Sequence, residues 1–276
     1  MPKKKFFIIG KPLSHSLSPT LHNYWLKKYN VNADYNILEI QETEIEKILR
    51  QIKNGEILGI NVTLPYKKKV IPYLDKIIND ANESKSVNTI YCNQEGNLIG
   101  ENTDIFGLQA GYFKEIINPE NKKSKTLILG AGGVSSSVIL ALSKSLIKDI
   151  TLSNRTYEKS IFLKKQFPFI QVLKWEEIEK NVPQFDIIIN ATSLGLKNGD
   201  DFEFLFKNFK KNLIYIDTIY NPLKTKMISH LEKNNIRSFN GLDMFIYQGQ
   251  KSFYIWNKIN PEIDEELINL LKFKIK

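Results

Sequence analysis

The stretch Thr126-Leu127-Ile128-Leu129 runs directly into Gly130-Ala131-Gly132-Gly133-Val134 and then into a helix-compatible segment ending near Leu146. An apolar run, a glycine turn and a helix in that order are what a dinucleotide-binding sheet requires. Glycine permits positive φ and lets a pyrophosphate approach the backbone, and the helix start supplies amide donors. The spacing is GxGG, with Ser135 standing where a third glycine is usual. A plain tight turn between strand and helix is the alternative. The second strand of this unit ends in Leu152-Ser153-Asn154-Arg155-Thr156, roughly 20 residues further on, where an NAD site places Asp or Glu. Here Asn154, Arg155 and Thr156 stand instead, with Lys159 one turn later. A guanidinium and a hydroxyl suit a 2′-phosphate, so the expected cofactor is NADP. A surface arginine after a strand is the competing explanation for Arg155.

The same alternation fills the rest of the chain. Strands are predicted at 5–9, 33–39 and 58–62, and a hairpin at 87–92 and 97–101 around Glu95-Gly96. Ser18-Pro19 opens a helix, with Ser18 as N-cap. Ile45, Ile48, Leu49 and Ile52 recur at helical spacing, and a further helix is predicted from Asp104 to Ile117. The polar stretch Asn118-Pro119-Glu120-Asn121-Lys122-Lys123-Ser124 is a candidate connection between domains. Beyond it come strands near 126–129, 149–153, 185–190 and 213–217, then helices near 241–257 and 262–274. The predicted class is α/β, with two sets of strand–helix units and parallel sheets in both.

Composition excludes several classes. Among 276 residues, 42% are hydrophobic and 25% charged, which is a globular balance. No apolar run approaches the ~18 residues of a membrane span, and the stretch from Phe6 to Ile9 is too short for a signal core. The single cysteine, Cys92, fits a reducing compartment, so a cytoplasmic location is expected. His15, His22 and His230 lack ligand spacing, and no metal site is expected. The net charge of +9 invites a nucleic-acid reading. However, Arg50, Arg155 and Arg237 are the only arginines, and the lysines are spread along the chain. A solvated lysine surface with a site for small anions explains the charge better. The expected partner is a small molecule, with no nucleic acid or membrane, and the chain is expected to act as a monomer or homodimer.

Three clusters in the first half are unusual for a scaffold. In Ser14-His15-Ser16-Leu17-Ser18-Pro19, the hydroxyls of Ser16 and Ser18 would face one ligand if the segment is extended. Gly59-Ile60-Asn61-Val62-Thr63-Leu64-Pro65-Tyr66-Lys67 ends the third strand, although Lys67 starts a run of three lysines and such runs are usually solvated. Asn88-Thr89 precedes Gly100-Glu101-Asn102-Thr103-Asp104, where Asp104 could be an ordinary helix cap. Together with Gly130-Ala131-Gly132-Gly133, Asn154-Arg155-Thr156, Asn190-Ala191-Thr192-Ser193, Tyr220-Asn221-Pro222, and Gly241-Leu242-Asp243-Met244 with Gln248, these resemble the shikimate dehydrogenase family over about residues 6–256.

The resemblance implies reversible, NADP-linked reduction of 3-dehydroshikimate to shikimate, in the route to chorismate and aromatic amino acids. It implies a substrate domain over 1–104, a Rossmann-like NADP domain over 105–240 and C-terminal helices over 241–276 that return to the first domain. The site would then be the cleft between domains. Lys67 and Asp104 would be the catalytic pair. Ser16 and Ser18 would hold the substrate carboxylate with help from Tyr220, and Asn61, Thr63, Asn88 and Gln248 would bind the ring hydroxyls. Asn190, Thr192 and Ser193 would line the cofactor site, and Gly241 and Met244 would lie near the nicotinamide. Val134, Ser135 and Ser136 depart from the alanine or arginine frequent in the family, as do Tyr66 and Asp243 from their usual residues. The alternatives are an NAD-using quinate/shikimate dehydrogenase, which would want a carboxylate near Arg155, and a non-catalytic sensor, which would have no use for Lys67 and Asp104.

Overall fold

The computed structural model describes residues 3–117, 123–196 and 199–275. The chain forms two compact units, one of Met1–Gly107 with Ile246–Lys274, the other of Leu108–Phe245. The passage between them falls at Gly107–Leu108. Most of the polar stretch expected to connect domains, residues 118–122, lies outside the described residues.

The first unit is built on a six-stranded sheet of β1 (Lys4–Gly10), β2 (Ala33–Glu39), β3 (Gly59–Val62), β4 (Lys76–Ile77), β5 (Thr89–Cys92) and β6 (Leu98–Glu101), in the order β2-β1-β3-β5-β6-β4. It is not a parallel sheet. β1 runs parallel to β2 and β3, but β5 is antiparallel to both β3 and β6. The β5–β6 hairpin imposes the reversal, because a short turn can only join antiparallel neighbours. One face is closed by helix Ile45–Lys53, whose Ile45, Ile48, Leu49 and Ile52 are buried in a cluster with Ile9, Ile60, Val62 and Ile90. Leu17, not Ser18, takes the N-cap of helix Ser18–Lys28, with Pro19 in its first turn. The predicted helix from Asp104 continues to Ile116 but passes through a π-helical turn at Gln109–Phe113. Gly111 lies in that turn, and a Cβ there would come within 3.0 Å of the Met244 backbone nitrogen. The wider turn and the missing side chain together allow this close approach.

The C-terminal helices complete the first unit. In helix Leu242–Asn257, Phe253 and Trp256 join His22, Trp25 and Tyr35 in one aromatic cluster. Trp256 also stacks on Phe6 at 4.9 Å and occupies the space above Gly59, where a Cβ would lie 2.4 Å from its Nε1. Trp25 Nε1 donates to the Glu262 carbonyl at 2.9 Å, and Lys28 pairs with Asp264, ahead of helix Glu265–Lys274.

The second unit has β7 (Lys125–Leu129), β8 (Asp149–Ser153), β9 (Gln171–Leu173), β10 (Ile187–Asn190), β11 (Ile214–Asp217) and β12 (Arg237–Phe239). The order is β12-β11-β10-β7-β8-β9, parallel throughout. This is the doubly wound order, with its reversal between β7 and β10, where ligands of such sheets bind. The edge strands β9 and β12 were not predicted, being three residues long and poor in apolar alternation. Among the described residues no helix is long and apolar enough to cross a membrane.

His22 is fully buried and stacks on Tyr35 at 4.3 Å. Burial pushes its pKa down to about 3, against a smaller opposing influence from Asn61. Its folded pKa thus lies below the unfolded value, so the stability it permits is present above pH ~6.5 and lost as pH falls. Denaturation of wild type and His22→Phe at pH 7.5 and pH 5.5 should show wild type losing about 1.4 kcal/mol relative to the variant at the lower pH. A gap independent of pH would mean that His22 takes up its proton in the fold as readily as in the unfolded chain.

Candidate active site

Three consecutive lysines end at Lys69, yet only the first turns inward. The Lys67 side chain is 12% exposed and that of Asp104 5%, and Lys67 Nζ donates to Asp104 Oδ2 at 2.5 Å. Lys68 and Lys69 are exposed. The Asp104 side chain does not cap its helix. Asn102 Oδ1 instead accepts from the Asp104 backbone nitrogen at 3.0 Å, which leaves both carboxylate oxygens for other partners. The second oxygen, Oδ1, accepts from Asn88 Nδ2 at 2.8 Å. Asn88 is itself fixed, because the Thr103 backbone nitrogen donates to its Oδ1 at 2.8 Å. A backbone N–H can only donate, so the Asn88 amide must face Asp104. A nearly buried carboxylate therefore carries one cation and one neutral donor, the pairing that makes burial tolerable.

Other residues from the first unit converge here. Asn88 Nδ2 lies 3.5 Å from Gln248 Oε1 on the returning helix. Ser16 and Ser18 do not form an extended pair. A turn holds Ser16, whose Oγ accepts from the Ser18 backbone nitrogen at 3.3 Å, while Ser18 starts the helix. Thr63 follows β3, anchored by its backbone nitrogen to Ile9 O at 2.9 Å. Asn61 is buried with its amide turned inward. Its Oδ1 accepts from the Tyr35 hydroxyl at 2.7 Å, and its Nδ2 donates towards Asn88 O, Thr89 Oγ1 and Ser252 Oγ at 3.1–3.2 Å. Thr89 and Thr103 stand in the sequence clusters but carry no role there, and Ser252 is not singled out by any motif.

In the second unit the glycine turn follows β7. Gly130 has φ +105°, and a Cβ there would lie 2.7 Å from Thr192 Cγ2. A Cβ on Gly132 would meet only the Ala191 carbonyl, at 3.9 Å, so that side of the turn is open. Ser135 replaces the third glycine by bracing the turn: its Oγ accepts from Gly132 N at 2.9 Å and donates to Gly130 O at 2.8 Å. Val134 is the N-cap of helix Ser135–Lys144, with Gly133 just before it. Asn154 ties the next loop to this turn, with Oδ1 accepting from Ala131 N at 3.0 Å and Nδ2 donating to Thr156 O at 2.8 Å. Arg155, Thr156 and Lys159 are exposed around the start of helix Tyr157–Gln166. An open glycine cradle followed by exposed cations with no adjacent carboxylate acceptor in that loop fits NADP.

The remaining predicted cofactor residues have mixed placements. Asn190 is fully buried and shapes its own loop, with Oδ1 accepting from Thr192 N and Oγ1 and Nδ2 donating to Leu194 O and Asp217 Oδ1. Ser193 is exposed. Gly241 is packed so closely on Thr218 that a Cβ would lie 2.3 Å from its carbonyl oxygen. Met244 is buried, its backbone nitrogen donating to the Tyr112 hydroxyl at 3.3 Å. Tyr220 stacks on Phe245 at 4.6 Å. Asp217 opens the motif Asp217-Thr218-Ile219-Tyr220-Asn221-Pro222 that also carries the resemblance, but the sequence gives it no role. It is fully buried and accepts from Ile219 N, Asn190 and Thr225 at 3.0 Å, so it joins the loops after β10 and β11.

Comparison with known proteins gives the family. The family described as "Shikimate dehydrogenase substrate binding domain" matches residues 8–90, and "Shikimate / quinate 5-dehydrogenase" matches residues 113–239. A protein of Pelagibacter ubique named shikimate dehydrogenase (NADP(+)) is 49% identical over 98% of this chain and 99% of its own length. The crystal structure of shikimate dehydrogenase from Aquifex aeolicus matches with a TM-score of 0.88 at 35% identity, covering 98% of each chain. A Thermus thermophilus shikimate 5-dehydrogenase in complex with NADP(H) and shikimate matches at TM-score 0.86 and 25% identity, covering 98% of this chain and 99% of that one.

Burial raises the Asp217 pKa to about 7 against the pull of its neutral donors. A carboxyl whose folded pKa exceeds the unfolded value keeps its proton in the fold, so its contribution falls as pH rises from ~4 to ~7. Between pH 5 and pH 8, wild type should lose on the order of 2–3 kcal/mol relative to Asp217→Asn. Parallel stability curves for the two proteins would show that Asp217 is ionised in the fold.

Proposed function

This chain belongs to the shikimate dehydrogenase family, and from that premise we propose that Lys67 and Asp104 move the proton as it interconverts 3-dehydroshikimate and shikimate. The protein is an NADP-dependent oxidoreductase. The bound nicotinamide supplies reversible two-electron chemistry as hydride. In the direction of reduction, the substrate carbonyl carbon gains the hydride, its oxygen keeps the π-bond electrons, and a proton from Lys67 Nζ completes the hydroxyl. In the reverse direction the same nitrogen takes that proton. Asp104 orients Lys67 and accepts from the reacting hydroxyl.

The observation that carries this reading is the nearly buried 2.5 Å pair, with Lys67 drawn out of an otherwise solvated lysine run. A fixed donor at a developing oxyanion is worth far more in such a site than in water. In this reading Asn88, Gln248 and Thr63 orient the ring hydroxyls, and Ser16, Ser18 and Tyr220 donate to the substrate carboxylate. Asn61 supports Asn88 from behind. Arg155 and Lys159 take the 2′-phosphate, which disfavours the NAD-using alternative. A single cysteine, the usage of a reducing compartment, supports the cytoplasm as the location of the reaction.

The direct test is absorbance of the reduced nicotinamide with shikimate or quinate, each with NADP or NAD. Rapid reduction with shikimate and NADP supports the reading, and no turnover with any pair from folded protein overturns it. Lys67→Ala should lower kcat by about 10³-fold while NADP still binds; kcat near wild type would remove Lys67 from the reaction. Arg155→Ala should weaken NADP by at least about 10-fold and leave NAD nearly unchanged. Equal loss for both cofactors would refute the 2′-phosphate assignment.

A further inference from the structure

Ser252 lies on the returning helix Leu242–Asn257, fully buried, 148 residues beyond Asp104 in number and with no motif around it. Its single hydroxyl touches four groups. It donates to Gln248 O at 3.1 Å, and Asn61 Nδ2 donates to it at 3.1 Å. The Thr89 hydroxyl lies at 2.8 Å and the Thr103 hydroxyl at 3.1 Å. A serine oxygen has one proton and two lone pairs. With the proton on Gln248 O and one lone pair taken by Asn61, the remaining lone pair goes to the closer hydroxyl, that of Thr89.

That choice settles the rest. The Thr89 hydroxyl is within reach of two acceptors, Ser252 Oγ at 2.8 Å and Asn88 Oδ1 at 3.0 Å, and a proton given to Ser252 is kept from Asn88. Asn88 Oδ1 accepts from the Thr103 backbone nitrogen at 2.8 Å, while the Thr103 hydroxyl lies 3.1 Å from that oxygen and accepts from Asn88 Nδ2 at 2.9 Å. The amide nitrogen is thereby aimed at Asp104 Oδ1, and Asp104 Oδ2 is left for Lys67. Without the Ser252 oxygen, the Thr89 hydroxyl turns onto Asn88 Oδ1 and Asn61 loses an acceptor, which pulls the carboxamide away from Asp104.

We infer that Ser252 is a positioning residue, which acts through Thr89 and Asn88 to hold Asp104 in register with Lys67. The inference rests on Lys67 and Asp104 being the reacting pair. A displaced catalytic group can cost on the order of 100-fold in rate. Ser252→Ala should therefore lower kcat about 10- to 100-fold, with KM for NADP unchanged and the protein folded.

The decisive measurement is the cycle of Ser252→Ala with Asp104→Asn. If Ser252 works through Asp104, then Ser252→Ala in the Asp104→Asn background changes kcat less than about twofold. An equal loss in both backgrounds, or a Ser252→Ala protein with wild-type kcat, overturns the inference. Wild-type kcat in Asp104→Asn alone overturns the reading of the pair, and the inference with it. Should Ser252→Ala not fold, Thr89→Val cuts the same path from β5 and is read in the same cycle with the same two outcomes.

Discussion

A carboxylate taken out of water must have its charge and both its oxygens answered, and the first unit is arranged around that requirement at Asp104. Lys67 answers the charge and one oxygen, and Asn88 answers the other. An amide serves only if it cannot flip, and the Thr103 backbone nitrogen, which can only donate, holds the Asn88 oxygen on its side. Each partner then brings polar atoms of its own that need partners. Tyr35, Asn61, Thr89 and Ser252 close that account from β2, β3, β5 and the returning helix. The antiparallel strands in the middle of the sheet follow from the same need. They bring Asn88 and Thr89 beside Asn61 from one side and Thr103 from the other.

The second unit meets a different constraint. Its ligand-binding turn must present open backbone, so the side chains around it are used to stiffen the turn. Ser135 and Asn154 each bridge the turn to itself or to the neighbouring loop. Asn190 and Asp217 do the same for the loops after β10 and β11, where neutral donors surround Asp217 and, among the described residues, no lysine or arginine is bonded to it. Several residues that a motif would assign to the ligand are spent on holding the shape that receives it.

The long elements were legible because burial leaves a period. Ile45, Ile48, Leu49 and Ile52 mark one helix face, and the run from Leu127 to Gly130 marks a strand entering a turn. Short edge strands such as β9 and β12 bury too little to leave such a mark. The mixed sheet was half legible: the hairpin was read, but its effect on strand direction was not. At the site, Lys67, Asp104 and Asn88 stood out as motif residues, and the structure brings them together. Ser16 and Ser18 were read as an extended pair, whereas proline and the helix start put a turn there. The roles of Thr89 and Thr103, and Ser252 altogether, were not legible because a hydroxyl's importance depends on what faces it. Nothing local to residue 252 indicates residues 61, 89 and 103.

The return of the chain to its first unit has a consequence for biosynthesis. Residues 108–245 are continuous and can fold as soon as they leave the ribosome, whereas the preceding unit still lacks Ser252, Phe253 and Trp256. Until then the space above Gly59 is open, the rings of Phe6 and Tyr35 face solvent on that side, and Asn61 and Thr89 have no hydroxyl to meet. The portion made first is thus the last to be finished, and its sticky aromatic face must be kept from other chains while more than a hundred residues are added, which is roughly 7–30 s at ordinary elongation rates. Nascent chains of this protein spend that interval as natural clients of whatever shields hydrophobic surface at the exit tunnel.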